Sequence, residues 1–101
     1  MKAIGQRRDT KEANLRDLVR ALAGLRNEQE VEDALMALLT PRERDKIALR
    51  WKLVRMLEAG LTQRAIAGQL GVSLCKITRG SRELKAGRTG FRRIVRRSMA
   101  K

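Results

Sequence analysis

The side chains best suited to binding chemistry lie between Thr62 and Leu84. In the second half of this stretch, short or cationic groups occupy the positions that a helix would expose: Ser73, Leu74, Cys75, Lys76, Thr78 and Arg79. Groups of these types contact base edges and phosphates in the major groove of DNA. The pattern therefore predicts a surface that reads nucleic acid.

Two short helices joined by a tight turn would position these side chains. Ile66, Leu70, Val72 and Ile77 have the spacing of a small shared core, and Ala67 leaves room where the helices cross. Gly71 suits the turn, because a Cβ would resist its backbone conformation, and Ser73 suits the cap of the second helix. We interpret residues 62–84 as a DNA-binding helix-turn-helix.

Other kinds of chemistry have little to work with. The chain holds no histidine and one cysteine, so we expect no zinc site, no imidazole base, no internal disulfide and no enzyme activity. Cys75 is interpreted as a small groove-facing side chain, with thiol redox sensing as the alternative. Because no long apolar run and no signal peptide follow Met1, we expect a cytoplasmic protein without a membrane span. DNA binding would associate it with the bacterial nucleoid.

In this chain of 101 residues, composition predicts one all-helical domain, with only Trp51 and Phe91 as aromatics and a single proline. We expect residues 10–101 to form this single DNA-binding and dimerisation domain. The net charge of +13 is unevenly distributed. Residues 1–40 are neutral overall, residues 41–75 carry +4 and residues 76–101 carry +9. Basic charge thus concentrates from the predicted reading helix onward, which favours a polyanionic partner.

The first half of the chain predicts a scaffold. Residues 1–9 read as a flexible arm, and an amphipathic helix should run from Thr10 to about Gly24. Asn27 and Glu30 predict a capping box for a second helix. The apolar positions of the two helices are suited to a core or a dimer interface; they are Leu15, Leu18, Val19, Leu22, Leu25, Val31, Ala34, Leu35, Leu38 and Leu39.

Thr40, Pro41 and Glu43 give the clearest helix start, as N-cap, first helical residue and capping-box partner. The helix that follows should reach about Ala59 and be central, since apolar groups surround much of it. Arg50 lies within that apolar run, so its guanidinium must reach solvent or meet a partner.

Residues 85–90 predict a linker, followed by a last helix from about Phe91. Its apolar face comprises Phe91, Ile94, Val95 and Met99. Its other face comprises Arg92, Arg93, Arg96 and Arg97. This basic face is interpreted either as a solvated surface or as an additional phosphate contact.

The segment LTPRERDKIALRWKLVRMLEAGLTQRAIAGQLGVSLCKITRGSRELK, Leu39 to Lys85, resembles the core of the tryptophan operon repressors. The most specific matches are LTP.ER at Leu39 to Arg44 and ITRGS..LK at Ile77 to Lys85. The resemblance implies a six-helix, intertwined homodimer that binds double-stranded operator DNA when L-tryptophan is bound as corepressor.

Carried over by position, the resemblance implies a tryptophan site. Arg50 and Arg79 would sandwich the indole, and Arg79 would also reach the ligand carboxylate. Leu39 and Thr40 of a second chain would complete the wall, and Gly80 would let the indole approach. Glu83 stands where the family commonly has a small residue near the ligand amino group, so its carboxylate should either pair with the ammonium or crowd the pocket.

For DNA, the resemblance implies first-helix contacts from Gln63 and Arg64. It implies second-helix contacts from Leu74, Cys75, Lys76, Thr78, Arg79 and Lys85. The segment between Arg50 and Gln63 is one residue shorter than in well-known repressors, and in this respect it is similar to relatives that do not respond to tryptophan. The alternatives are therefore a ligand-independent regulator on the same fold, or a module that binds nucleic acid without sequence preference or binds protein.

Overall fold

The structure, a computed structural model, describes residues 10–85 and 89–100, and within these ranges it contains six helices and no strand. The helices are α1 (Lys11–Ala23), α2 (Glu28–Leu38), α3 (Pro41–Glu58), α4 (Gln63–Leu70), α5 (Leu74–Lys85) and α6 (Thr89–Met99). The predicted all-helical, six-helix order is confirmed. The predicted arm, residues 1–9, lies outside the described residues.

Side-chain caps begin the first two helices. The Oγ1 of Thr10 accepts a hydrogen bond from the N–H of Ala13 at 3.0 Å, and the Oδ1 of Asn27 accepts one from the N–H of Glu30 at 2.9 Å. The predicted capping box differs in one detail, because the Glu30 carboxylate accepts from the N–H of Arg26 at 2.8 Å, one residue before the cap. The N–H groups of Glu30 and Arg26 are thereby both satisfied.

The chain divides into two compact units, one up to Thr40 and one from Pro41 onward. The first unit contains α1 and α2, and no residue of either helix is buried. Seven large apolar side chains of these helices are exposed: Leu15, Val19, Leu22, Val31, Leu35, Met36 and Leu38. Within one chain, this unit has amphipathic helices without an interior of its own.

The second unit has a core around α3, which packs against α4, α5 and α6. The buried side chains are Leu53, Val54, Met56, Ile66, Ile77, Leu84 and Val95. Ile66, Ile77 and Val95 are 0% exposed, and burial of each such side chain contributes roughly 1.5–3 kcal/mol. The prediction that α3 is central holds for this unit.

The end of the chain differs from prediction in two respects. Lys85 still belongs to α5, and α6 begins at Thr89, so only residues 86–88, which lie outside the described residues, separate the two helices. Ile94 was expected on the buried face but is 53% exposed, whereas Val95 is fully buried. The core-facing stripe of α6 therefore consists of Phe91, Val95 and Met99.

An ion-pair cluster fixes α6 to the end of α3. The Oε1 of Glu58 accepts from the Nε of Arg92 at 3.0 Å, and its Oε2 accepts from the Nε of Arg96 at 2.6 Å. Hydrogen bonding from Arg96 is the largest influence that holds the pKa of Glu58 below its ordinary value; partial desolvation opposes it and the bond from Arg92 adds to it. The predicted basic face of α6 is thus partly structural.

Candidate DNA-reading surface and ligand cleft

Local interactions build the helix-turn-helix. The Oγ1 of Thr62 accepts from the N–H of Ala65 at 3.1 Å and caps α4. Gly71 ends α4 with a φ of +67°, a region that L side chains rarely adopt. The Oγ of Ser73 then accepts from the N–H of Lys76 at 3.4 Å at the start of α5.

The same packing decides which side chains of α4 and α5 face outward. Ile66 and Ile77 close the shared core, with Ala67, Leu70 and Val72 packed against it. Every residue of the predicted reading surface is exposed: Gln63, Arg64, Ser73, Leu74, Cys75, Lys76, Thr78, Arg79 and Lys85. From Leu74 to Lys85 these groups extend over roughly 16 Å of helix at 1.5 Å per residue. Contact of each residue with DNA stays a prediction.

A cleft of about 510 Å³ lies between α3, α5 and the first turn of α6. Four of the predicted ligand residues line it together: Arg50, Arg79, Gly80 and Glu83. Its apolar walls include Ile47, Leu49, Trp51, Leu53, Val54, Val72 and Phe91. The volume lies within the range of about 300–1,000 Å³ that is typical of small-molecule sites.

The charges of the cleft are unequal. Four cationic side chains line it, namely Lys46, Arg50, Lys76 and Arg79, against the single carboxylate of Glu83. Within the described part of the chain, none of the side chains of Arg50, Arg79 and Glu83 takes part in an ion pair. Arg50 is also exposed rather than embedded in apolar neighbours. The cleft is therefore suited to a ligand with an anionic group and an apolar body.

Gly80 has a packing role that the sequence did not indicate. A Cβ built at this position would lie 2.6 Å from the Cδ2 of Leu53 and 3.5 Å from side-chain atoms of Leu57 and Val54. The glycine thus lets α5 approach α3 closely, and Gly80, Leu53 and Val54 of this contact all line the cleft. Its predicted contact with a ligand stays a prediction.

Comparison with known proteins agrees with this geometry. The family described as Trp repressor protein matches residues 13–99, from the first turn of α1 to the last residue of α6. The chain belongs to the Trp repressor family.

Named relatives support the assignment. A Trp operon repressor homolog of Chlamydia trachomatis (serovar L2) is 36% identical over 76 residues, which cover 74% of this chain and 81% of the relative. One of Vibrio vulnificus is 47% identical over 60 residues, covering 57% of this chain and 59% of the relative. One of Mannheimia succiniciproducens is 40% identical over 72 residues, which cover 70% of this chain and 71% of the relative. The protein is a Trp-repressor-like regulator.

Two ligand residues predicted from the Trp repressor resemblance lie in the other unit. Leu39 follows α2 directly, and Thr40 immediately precedes α3. Neither lines the cleft described above. Their contribution from a second chain stays a prediction.

Sequence reasoning missed several residues of the cleft in this Trp repressor family member. Lys46 and Ile47 lie four and three residues before Arg50, and Leu53 and Val54 lie three and four residues after it. The periodicity of α3 could therefore have identified these four residues. Phe91 gave no such signal, because its place in the cleft depends on how α6 packs against α3 and α5. Within the described residues no helix is long and apolar enough to cross a membrane, and no group of acidic or cysteine side chains there could hold a metal ion.

Proposed function

We propose that the protein is a sequence-specific, DNA-binding transcriptional repressor that L-tryptophan activates as corepressor. The observation that carries the proposal is the double use of α5. Arg79, Gly80 and Glu83 of this helix line the cleft, while Leu74, Cys75 and Thr78 are exposed for reading. A ligand held between α3 and α5 sets the angle of the reading helix, which couples ligand binding to DNA binding.

The chemistry of the cleft fits an aromatic amino acid. Arg50 of α3 and Arg79 of α5 supply guanidinium planes, which stack on aromatic rings and bind carboxylates through paired hydrogen bonds. Glu83 lies one turn beyond Arg79, and its carboxylate accepts hydrogen bonds from the ligand ammonium while Arg79 donates to the ligand carboxylate. The apolar walls receive the indole, and Leu39 and Thr40 of a second chain close the site.

A second copy of the chain is the proposed partner for the first unit. The exposed apolar side chains of α1 and α2, among them Leu15 and Leu35, are numerous for helices of an isolated domain. Burial of these faces in an intertwined homodimer removes them from water. A homodimer also provides two reading helices for two operator half-sites.

For DNA, the exposed residues of α4 and α5 have separate proposed roles. Gln63, Arg64 and Lys85 contact phosphates at the two ends of the reading surface, which positions the protein. Between them, Ser73 caps the reading helix and Leu74, Cys75, Lys76, Thr78 and Arg79 meet base edges and phosphates in the major groove.

Calorimetric titration with tryptophan tests the corepressor step, and a gel shift on a selected operator with and without tryptophan tests the coupling. We expect tryptophan to tighten operator binding by about 5–150-fold. Arg50→Ala should abolish this response, whereas Lys52→Ala, an exposed change on the same helix outside the cleft, should retain it. No binding heat at millimolar tryptophan contradicts the corepressor role.

A ligand-independent regulator on the same fold is the second candidate, and Glu83 favours it. Its carboxylate lines the same cleft as Arg50 and Arg79, so it could neutralise these cations and fill part of the space. Operator affinity that does not change with tryptophan supports this candidate. Equal loss of binding to all DNA sequences in Thr78→Ala would instead identify a module without sequence preference.

A further inference from the structure

The arginines of α6 fall into two classes. α6 contains four arginines and no acidic residue, and Glu58 binds two of them, Arg92 and Arg96. Arg93 and Arg97, each one position further along the helix, are exposed, and no described acidic side chain pairs with either. The fold therefore uses one arginine row to hold the helix and leaves the other row in solvent.

The exposed arginines of α6 and the end of α3 lie at neighbouring helical positions. Arg93 and Arg97 lie one turn apart, roughly 6 Å along the helix axis at 1.5 Å per residue. Arg92 and Arg96 remain 47% and 61% exposed despite their bonds to Glu58. Exposed Arg55 lies three residues before Glu58 and so beside it on α3. The α6 arginine surface comprises Arg55, Arg92, Arg93, Arg96 and Arg97.

The packing of α6 indicates which polyanion this surface suits. An amphipathic helix that binds a membrane inserts its apolar face between the lipids, but here Phe91, Val95 and Met99 are used by the core. Guanidinium groups instead pair well with phosphates. Duplex DNA offers a phosphate every 3.4 Å of axis along each strand, so two arginines about 6 Å apart can contact phosphates of one strand.

We propose that the α6 arginine surface is a second, sequence-independent binding surface for the phosphates of duplex DNA, on elements other than the reading helices α4 and α5. It adds affinity without base discrimination, because phosphate contacts carry no sequence information. This inference rests on the proposed function only for the identity of the polyanion. The DNA is either the flank of the operator being read or a second duplex.

The salt dependence of DNA binding tests this directly. Loss of two phosphate contacts in Arg93→Gln/Arg97→Gln should lower the slope of log affinity against log salt by about 1.8 per chain and weaken binding by on the order of 10-fold or more at 0.1 M salt. Arg93→Lys/Arg97→Lys should largely restore the slope. The charge-matched Arg16→Gln/Arg20→Gln, on exposed positions of α1, should leave it near the wild-type value, and circular dichroism checks that each variant folds.

Two DNA formats distinguish the sources of phosphate. An effect that is seen on an operator with long random flanks but not on the minimal operator identifies the flank. In the second format, one duplex is fixed to beads and a free duplex is added with the protein. If the wild-type protein captures the free duplex on the beads and the double variant does not, the surface binds a second duplex. A slope that is unchanged in both formats overturns the proposal, as does an equal fall in the α1 control.

Vesicles that contain phosphatidylserine provide a further test. If Arg93→Gln/Arg97→Gln loses vesicle binding while its DNA slope is unchanged, the surface binds lipid and the proposal is wrong. The slope of log affinity against log salt can also be measured on random DNA. The α6 arginine surface is therefore tested even if the protein does not discriminate an operator and the proposed function fails.

Discussion

The two units of this chain use amphipathic helices in opposite ways. In the first unit every residue of α1 and α2 is described, none is buried, and Leu15 is 62% exposed. In the second unit Ile66, Ile77 and Val95 are completely buried. The predicted reading surface and the cleft therefore rest on a core that one chain supplies by itself, whereas the first unit leaves its apolar side chains exposed within one chain.

This difference has an energetic meaning. A core that is complete within one chain stabilises the reading helix at any protein concentration. Apolar faces that another chain covers contribute only when that chain is present, so their contribution depends on concentration. Substitutions matched between the units can separate the two kinds of stability.

The largest effect is expected for Ile66→Ala. Ile66 is fully buried where α4 meets the core of the second unit, and removal of its side chain should cost about 2–5 kcal/mol of unfolding free energy. Ile66→Val should cost only about 0.5–1.5 kcal/mol. Urea denaturation measured at one protein concentration gives both values.

The counterpart in the first unit is Leu35→Ala, at an exposed position of α2. Its effect on the melting temperature should grow as the protein concentration rises, because in the proposed homodimer the substitution removes contact with a second chain. The comparison between the units fails if Leu35→Ala destabilises dilute and concentrated protein equally, or if Ile66→Ala has little effect.

Local structure could be predicted from the sequence because local interactions determine it. Thr10, Asn27 and Thr62 each cap a helix through a backbone N–H three residues away, and such short-range pairings are visible in the residue order. One pairing differed from prediction: the Glu30 carboxylate accepts from the N–H of Arg26 rather than from the N–H of Asn27. A flexible carboxylate can reach either of these two neighbouring donors.

Glycines provide the next largest effect within the second unit. Gly80→Ala places a methyl group 2.6 Å from the Cδ2 of Leu53, a side chain that is itself buried. Overpacking of this kind costs about 1–3 kcal/mol, and the better helix propensity of alanine offsets up to about 1 kcal/mol of it. We expect a net destabilisation of about 1–2 kcal/mol in urea denaturation.

Gly68→Ala is the matched control for this substitution. Gly68 is also in a helix interior, but a Cβ there would meet nothing within 4 Å. Alanine should therefore stabilise the protein by about 0.5–1 kcal/mol. The two substitutions should have opposite signs; if Gly80→Ala also stabilises, Gly80 is not required for the approach of α5 to α3.

Tertiary features could not be predicted in the same way. Glu58 meets Arg92 and Arg96 across 34 and 38 residues of sequence, and nothing in the local pattern selects that pairing from the other possible ones. The exposure of Ile94 and the position of Phe91 in the cleft depend on how α6 is rotated against α3. Arg50, Arg79, Gly80 and Glu83 were proposed as one site only through the family resemblance, although the cleft brings them together.

Helix caps permit a smaller comparison of the two units. Thr10→Ala and Thr62→Ala each remove an Oγ1 that accepts one backbone hydrogen bond, at 3.0 and 3.1 Å. Thr62→Ala should lower the global unfolding free energy by about 1 kcal/mol, because α4 is part of the second unit's core. Thr10→Ala should instead fray the start of α1, seen as faster amide exchange near Ala13 with little change in global stability.

Equal global destabilisation by both cap variants would indicate that the two units unfold together. In that case the start of α1 would be as stable as the start of α4, and the two units would unfold as one cooperative unit despite their different burial.

The smallest effect is the pH dependence from Glu58. Its pKa in the folded protein lies below the ordinary value of 4.5, chiefly because Arg96 hydrogen-bonds its carboxylate. A lowered folded-state pKa means that the carboxylate stabilises the fold above pH 4.5, and that this contribution disappears as the pH falls through the lowered value. The stability difference between wild type and Glu58→Gln should therefore be constant near neutral pH and vanish in acid.

Because Arg92 and Arg96 are about half exposed, salt should also reduce this stability difference. Glu32→Gln on α2, which removes an exposed carboxylate without an ion pair in the described chain, is the matched control in the same urea titrations. If the two variants follow the same pH curve, the Glu58 cluster does not stabilise α6, and the second unit is held by its apolar core alone.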